Sequence, residues 1–277
     1  MEEIKLIVDS SSNDQTSKEN NVTVVPLTLT INGQDFVDDE KLDIQDFIAK
    51  MAQNSEAGRT SCPSIDAWLK ALEGTKRAII VTVTSGLSGS FSSAFQAKKI
   101  YEKDHPESKV IVVDSRSAGP ELSVILSKIK QLIKTKIRFV DLEQKIAEYR
   151  MHTHLLAIFQ SLHNLSLNGR VSPAVAKVAQ MLKIDVVGTA STEGKLEPVA
   201  KVRGMKRALK DVINRMKEMK YHGGEVIIDH CNNAKDAQTL KEKICALFPN
   251  AQITIRQMRG LCTFYAENGG LMVGFEG

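Results

Sequence analysis

Three runs of β-forming residues end in clusters of hydroxyl groups. Residues 4–8 run into Asp9-Ser10-Ser11-Ser12, and residues 109–113 run into Asp114-Ser115-Arg116-Ser117. Between them, residues 78–83 run into Thr84-Ser85-Gly86-Leu87-Ser88-Gly89-Ser90. Serine, threonine and aspartate suit turns and helix caps, so one such cluster needs no further explanation. Three clusters at the ends of neighbouring strands converge on one rim, and open α/β sheets bind ligands outside the carboxyl ends of their strands. The second cluster says most. A strand, a Gly–Ser turn and then a helix through Phe91, Ala94 and Phe95 leave free N–H groups at the helix start. Those donors and the helix dipole favour an anion. Gly89 permits close backbone approach, and Ser88 and Ser90 add hydroxyl donors. The turn lacks the GxxxxGK[ST] pattern and has no lysine beside it, so a carboxylate suits it better than a nucleotide phosphate.

Other chemistries compete for the same residues. Gly86-Leu87-Ser88-Gly89-Ser90 misses the nucleophile-elbow pattern GxSxG only at its last position. A serine hydrolase of acyl esters would then need a downstream histidine, such as His222 or the His230 of Asp229-His230. A histidine at a strand end is more commonly a satisfied surface residue. His152 and His154 alternate along a strand pattern, but two ligands are too few for a metal site. Thr60-Ser61-Cys62-Pro63-Ser64 is a second hydroxyl loop leading into a helix, and capping accounts for Ser64 but not for Thr60 and Ser61. Arg170 sits in an Asn-Gly-Arg turn, and Arg203 precedes an amphipathic helix.

The elements that must position these residues alternate between short β runs and helical patterns. In the first half, residues 4–8, 22–31, 78–83 and 109–113 read as strands. Asp43 can cap a helix through Asn54, and Ser64 can cap one that ends at Gly74. Two helical patterns follow, over residues 121–133 and 141–149. This βαβ rhythm predicts a largely parallel sheet covered by helices. The second half continues in the same style, with strands at 154–159, 184–187, 225–228, 252–257 and 271–275. Met205, Ala208, Leu209, Val212, Ile213, Met216 and Met219 recur on one helix face, a pattern of plain core. Residues 234–248 give another helix. The fold class is α/β, as two α/β domains spanning 1–150 and 151–277, the first carrying the hydroxyl loops.

Composition narrows the partners. The 277 residues are 25% charged and 42% hydrophobic, which is ordinary for a globular protein with a sizeable core. A net charge of +4, spread along the chain, is no nucleic-acid footprint. No basic n-region with an apolar run opens the chain, and no apolar run approaches the roughly 20 residues of a membrane span. Four cysteines without zinc spacing read as reduced thiols in a cytoplasmic protein.

Taken in order along nearly the whole chain, the motifs resemble those of the DegV family of bacterial fatty-acid-binding proteins, which includes binding subunits of fatty acid kinase. Ile7-Val8-Asp9-Ser10-Ser11 is similar to the family's opening strand and Asp-Ser motif, and Val25-Pro26-Leu27 with Asn32-Gly33 to its second segment. Thr60-Ser61-Cys62-Pro63-Ser64 resembles a Thr-Ser-Gln-Pro-Ser loop, and Leu87-Ser88-Gly89-Ser90-Phe91 with Ser93-Ala94 resembles a Leu-Ser-Gly-Thr-Tyr loop and its helix. Val113-Asp114-Ser115 resembles a second Asp-Ser, and Gly169-Arg170-Val171-Ser172 a Gly-Gly-Arg-Ile-Ser turn whose first glycine is here Asn168. Where the family has a histidine in His-Thr-Gly-Pro-Gly, this chain has Tyr265. The resemblance implies an acyl chain held in a tunnel between and within two domains. It implies a carboxylate site of Thr60, Ser61, Ser88, Gly89, Ser90, Arg170 and Tyr265, with Arg203 as a contact for the kinase. It further implies a non-catalytic carrier without cofactor: a cytoplasmic monomer with transient membrane contact, handing a long-chain fatty acid to a separate ATP-dependent fatty acid kinase for phospholipid synthesis. A regulatory protein that has lost lipid binding is the remaining alternative beside the hydrolase.

Overall fold

The computed structural model describes residues 3–19, 21–53, 58–182 and 184–277. Its first half is built on a parallel sheet of β1 (Ile4–Asp9), β2 (Val22–Val25), β6 (Arg77–Thr82) and β7 (Lys109–Asp114), in the order β2-β1-β6-β7. These strands are Val/Ile-rich because helices cover both faces, so each side chain must be apolar. Leu6, Val8, Ile79 and Val81 pack under α4 (Pro120–Lys134) and α5 (Phe139–Arg150). Ile7, Ala78 and Ile80 pack under α2 (Ile65–Leu72) and α3 (Ser90–Asp104). Ser64 caps α2, its Oγ accepting the Ala67 N–H at 3.2 Å.

One expected strand is two. Residues 22–31 break at Pro26, which has no N–H to give a sheet. The chain leaves the parallel sheet after β2 and re-forms as β3 (Thr28–Ile31), which pairs antiparallel with β4 (Gln34–Val37) and β5 (Arg59–Ser61). The crossing is fixed by Leu27, whose N–H donates to Ser10 Oγ at 3.1 Å and whose carbonyl accepts the Asp38 N–H at 2.9 Å. Asp43 Oδ1 accepts the N–H groups of Gln45 and Asp46 at the start of α1 (Ile44–Gln53). The expected end of that helix, Asn54, lies outside the described residues.

The second half departs from the parallel style of the first. Its six strands run β10-β9-β8-β13-β11-β12, and only the β11–β12 pair is parallel. They are β8 (Thr153–Phe159), β9 (Asp185–Ala190), β10 (Leu196–Val202), β11 (Gly224–His230), β12 (Ala251–Gln257) and β13 (Leu271–Glu276). The chain ends by inserting β13 antiparallel between β8 and β11. One face is covered by α8 (Met205–Glu218) and α9 (Ala234–Leu247), and the methionine-rich stripe of α8 is core: Ala208, Leu209, Val212, Ile213 and Met216 are all buried. The short α6 (His163–Leu167), α7 (Pro173–Leu182) and α10 (Gly260–Ala266) lie on the other side.

Polar groups weld the halves. Arg256 Nε and Nη2 donate to the Asp229 carboxylate at 2.7 and 2.9 Å, while Nη1 reaches Asp14 at 3.0 Å. Glu121, at the start of α4, takes the hydroxyl of Thr153 on β8 at 2.6 Å and that of Ser117. Burial pushes the Glu121 carboxyl from its ordinary 4.5 up to about 7, with the Ser117 and Thr153 hydroxyls and the Arg150 charge pulling the other way. A carboxyl raised on folding contributes stability that is full below its unfolded value and lost as pH rises through the folded one. Glu121→Gln removes the charge. The wild-type chain should therefore lose about 3 kcal/mol relative to this variant between about pH 4.5 and pH 8, measured by urea denaturation at each pH.

Candidate functional site

Parallel pairing of β1, β6 and β7 sets their three hydroxyl clusters at one edge of the sheet. A cavity of about 380 Å³ lies between this edge and the six-stranded sheet, a size typical of small-molecule sites. Most of its wall is apolar: Leu155 and Phe159 of β8, Leu165 of α6, Leu196 of β10, Leu261 of α10 and Met272 of β13.

The polar part of the wall gathers most of the expected head-group residues. Thr60, Ser61, Ser88, Gly89, Arg170 and Tyr265 all line the cavity. Thr60 faces Leu29 across the β3–β5 pair, which holds its Oγ1 2.8 Å from the Tyr265 hydroxyl on α10. One of these hydroxyls donates to the other, so either arrangement leaves one proton for a guest. In the Gly–Ser turn, the N–H groups of Leu87 and Ser88 go to the Thr84 carbonyl, and that of Ser90 goes to Ser88 Oγ at 3.2 Å. Gly89 N–H has no partner among the described residues. Arg170 is tied to the turn, with Nε donating to the Leu87 carbonyl at 3.2 Å and Nη1 to the Asn168 carbonyl at 2.6 Å. Cys62 lies against the turn, its Sγ 3.0 Å from where a Cβ on Gly89 would stand.

Two expected residues lie elsewhere. Ser90 opens α3 fully buried and off the cavity wall, its Oγ 3.2 Å from Ser88 Oγ. The helix start turns it inward while Ser88, two residues earlier, stays at the surface of the cavity. Arg203 is exposed on the link between β10 and α8, away from the cavity. Asp9 itself is fully buried, accepting the N–H groups of Val83 at 2.8 Å and Ser11 at 3.2 Å. Burial pushes its carboxyl up to about 6 against those hydrogen bonds.

The hydrolase geometry is not assembled. His230 Nδ1 accepts the Asn233 N–H, and Asp229 is committed to Arg256 and Asn13. Neither lines the cavity, nor does His222, and Ser88 meets no histidine among the described residues. Among the described residues no group of three His, Cys, Asp or Glu could hold a metal ion.

One wall went unread in the sequence. Gly194, Lys195 and Leu196 reach the cavity from the β9–β10 hairpin. The turn signal Ser191-Thr192-Glu193-Gly194 before an alternating run could have revealed it. Arg116 Nη1 fastens this hairpin by donating to the Thr192 carbonyl at 2.9 Å.

With that geometry in place, comparison with known proteins gives a consistent answer. The DegV family model, described as that of an uncharacterised protein family, matches residues 3–276. The chain belongs to the DegV family. A DegV domain-containing protein of Streptococcus pneumoniae is 41% identical over 252 residues, covering 91% of this chain and 90% of that protein. A DegV family protein from Eubacterium eligens, crystallised loaded with heptadecanoic acid, superposes with a TM-score of 0.96 at 35% identity over 99% of each chain. The Streptococcus pneumoniae fatty acid kinase B3 protein, crystallised loaded with linoleic acid, superposes with a TM-score of 0.95 at 40% identity, covering 100% of this chain and 99% of that one.

In this DegV chain the Gly–Ser turn and the β9–β10 hairpin touch through Gly86. A Cβ there would stand 2.8 Å from the Glu193 carbonyl oxygen and 3.0 Å from that of Gly194. Backbone on both sides leaves no flexible atom to yield. Gly86→Ala should cost about 1–3 kcal/mol in urea denaturation.

Proposed function

We propose that this chain binds a long-chain fatty acid by its carboxylate and presents it to a separate ATP-dependent fatty acid kinase, whose acyl phosphate product enters phospholipid synthesis. The observation that carries this reading is one apolar cavity with hydroxyls, a free N–H and an arginine gathered in its wall. Burying an unpartnered carboxylate costs several kcal/mol. The Thr60–Tyr265 pair, Ser88, Gly89 N–H and Arg170 offer it donors. The tail supplies the affinity: about a dozen buried methylenes contribute roughly 10 kcal/mol at about 0.8 kcal/mol each. Two related proteins of nearly the same fold carry fatty acids.

The chain is a carrier without catalysis of its own, a reading supported by a Ser88 that meets no histidine among the described residues. Its two α/β domains divide near residue 150, and the cavity draws walls from both. Arg203 stands in a cationic stretch with Lys201, Lys206, Arg207 and Lys210, all exposed, a surface that suits an acidic face on the kinase. The protein works as a monomer in the cytoplasm. Met181 and Leu182, exposed at the end of α7, suit transient contact with the membrane from which lipid is drawn. No helix among the described residues is long and apolar enough to cross that membrane. The open cavity favours this reading over a regulatory protein that has lost its ligand.

Extraction and mass spectrometry of the purified protein should find co-purifying fatty acid. Thr60→Ala combined with Ser88→Ala should weaken fatty-acid binding at least several-fold; unchanged affinity would place the head group elsewhere. Arg203→Glu should leave fatty-acid affinity as it is and slow acyl phosphate formation in a reconstituted kinase assay. A normal rate with that variant would remove Arg203 from the kinase surface.

A further inference from the structure

The cavity has an open end and a closed one. At the head-group turns Ser61, Cys62 and Gly89 are exposed, and Leu87 and Ser88 are half-buried. Away from those turns the wall is buried, as at Met272 of β13, Cys262 of α10, Leu155 of β8 and Ser117 after β7. Met272 stands deepest in the sheet, paired with Ala157 of β8 on one side and Asp229 of β11 on the other. The two halves close on each other beside it. A Cβ on Gly274, two residues further along β13, would stand 2.5 Å from the main-chain nitrogen of Glu121 and from the carbonyl carbon of Pro120. Packed main chain, not open space, therefore backs this end of the cavity.

A missing side chain draws Met272 back from the cavity. A Cβ on Gly119 would stand 2.6 Å from Met272 Cε, 3.1 Å from its Sδ and 3.7 Å from Cys262 Sγ. The end of the thioether thus fills the space that any other residue at 119 would need. The seat itself is fixed. Gly119 N–H donates to the Ser11 carbonyl at 3.0 Å, and the Cys262 thiol donates to the same carbonyl at 3.2 Å. Gly119 opens α4 at φ 62° and ψ −136°, a backbone conformation that favours glycine. Methionine is unbranched and flexible, so its end follows whatever space its neighbours leave. Here the neighbours leave that space behind the wall.

We propose that Met272 is a specificity-determining residue: its side chain, drawn back over Gly119, is the floor at which the acyl tail stops, and its reach sets the longest chain the cavity accepts. This rests on the fatty-acid reading of the cavity and adds a limit on substrate length to it. Each methylene that enters the apolar wall raises affinity about fourfold. A methylene past the floor gains nothing. It pushes the head group off its donors or the methionine off its seat, and overpacking of that kind is unfavourable. Affinity should therefore climb with chain length and turn over at one length. Shortening the side chain at 272 lowers the floor, and a stiffer, bulkier one raises it. Alanine there deletes the thioether arm and opens room for about two more methylenes.

Calorimetric titration of the purified, delipidated chain with saturated fatty acids from decanoic to eicosanoic acid, delivered from cyclodextrin, tests this. The wild-type chain should show a single length of highest affinity. Met272→Ala should move that maximum to acids longer by about two carbons, and Met272→Phe should move it to shorter ones, with about fourfold lost for each carbon given up. Gly119→Ala, which presses the thioether out of its seat and into the cavity, should act like Met272→Phe. If its backbone keeps that variant from folding, the two Met272 variants decide the matter. A merely structural role for Met272 would lower stability, or lower affinity for every length alike, and leave the maximum where it is. A maximum unmoved in both Met272 variants would overturn the proposal while leaving the fatty-acid reading intact. A wild-type chain that binds none of these acids would overturn that reading and the assignment of Met272 together.

Discussion

A buried carboxylate sets the geometry of the whole site. Asp38 follows β4 with only 1% of its surface exposed, and it accepts the first two N–H groups of α10, from Gly260 at 2.7 Å and Leu261 at 2.9 Å. Burial raises its pKa above the ordinary carboxylate range, and those N–H groups, the Ser10 hydroxyl and the Arg259 charge work against that rise. A seven-residue helix does not hold together by itself in water. It holds here because the Asp38 carboxyl accepts its first two N–H groups and because Leu261 and Phe264 pack with Leu27, Leu29 and Phe47 from the first half. Every cavity residue that α10 supplies, Tyr265 included, is placed by that contact. The Thr60–Tyr265 hydrogen bond is its downstream consequence.

The interior treats its carboxylates in two ways. Asp229 is neutralised by a two-pronged contact with Arg256, which also spans Asp14, the Ser12 carbonyl and Ser123. That cluster ties chain ends far apart in sequence, and removing one partner would strand a buried charge. Asp9 and Glu121 have no such ion pair among the described residues and rely on hydroxyl and N–H donors; burial raises all three carboxyls. Both stand just behind the cavity wall, Asp9 behind Val83, Glu121 behind Ser117. The hydroxyl clusters read in the sequence as a ligand rim therefore have two faces. One face is presented to the cavity, and the other keeps buried acids solvated.

How far the sequence reached follows from the range of the forces involved. The parallel sheet was legible because a strand buried on both faces must be apolar throughout, as residues 78–83 are. The α8 stripe was legible because a helix buried on one side repeats every three or four residues. The break at Pro26 was only half legible, since proline forbids the sheet bond but does not say that Ser10 and Asp38 will hold the chain on its new course. The mixed order of the second sheet was not legible. Inserting β13 between β8 and β11 is a choice among long-range pairings, and local pattern carries none of it. The same limit explains the site. Thr60, Ser88 and Arg170 stand in turns with their own signatures, whereas the inward turn of Ser90 and the hairpin bearing Lys195 depend on neighbours distant in sequence.

Tyr265 shows what the chain gives up and keeps relative to the histidine its family resemblance implied. A histidine can add a positive charge beside a carboxylate, and a tyrosine cannot. The full positive charges left in the cavity wall are Arg170 and Lys195, and Arg170 already spends two donors on the Leu87 and Asn168 carbonyls. The proposed grip must then come mainly from neutral donors held in fixed directions. Fixed direction is what this fold supplies. Thr60 is locked by strand pairing, Tyr265 by the Asp38 cap on its helix, and Ser88 by the turn before α3. Neutral donors lose little by facing an empty apolar cavity, whereas an unpaired cation there would carry a desolvation cost of several kcal/mol. Replacing charge by rigid hydroxyls is thus compatible with a site that must stand empty between ligands.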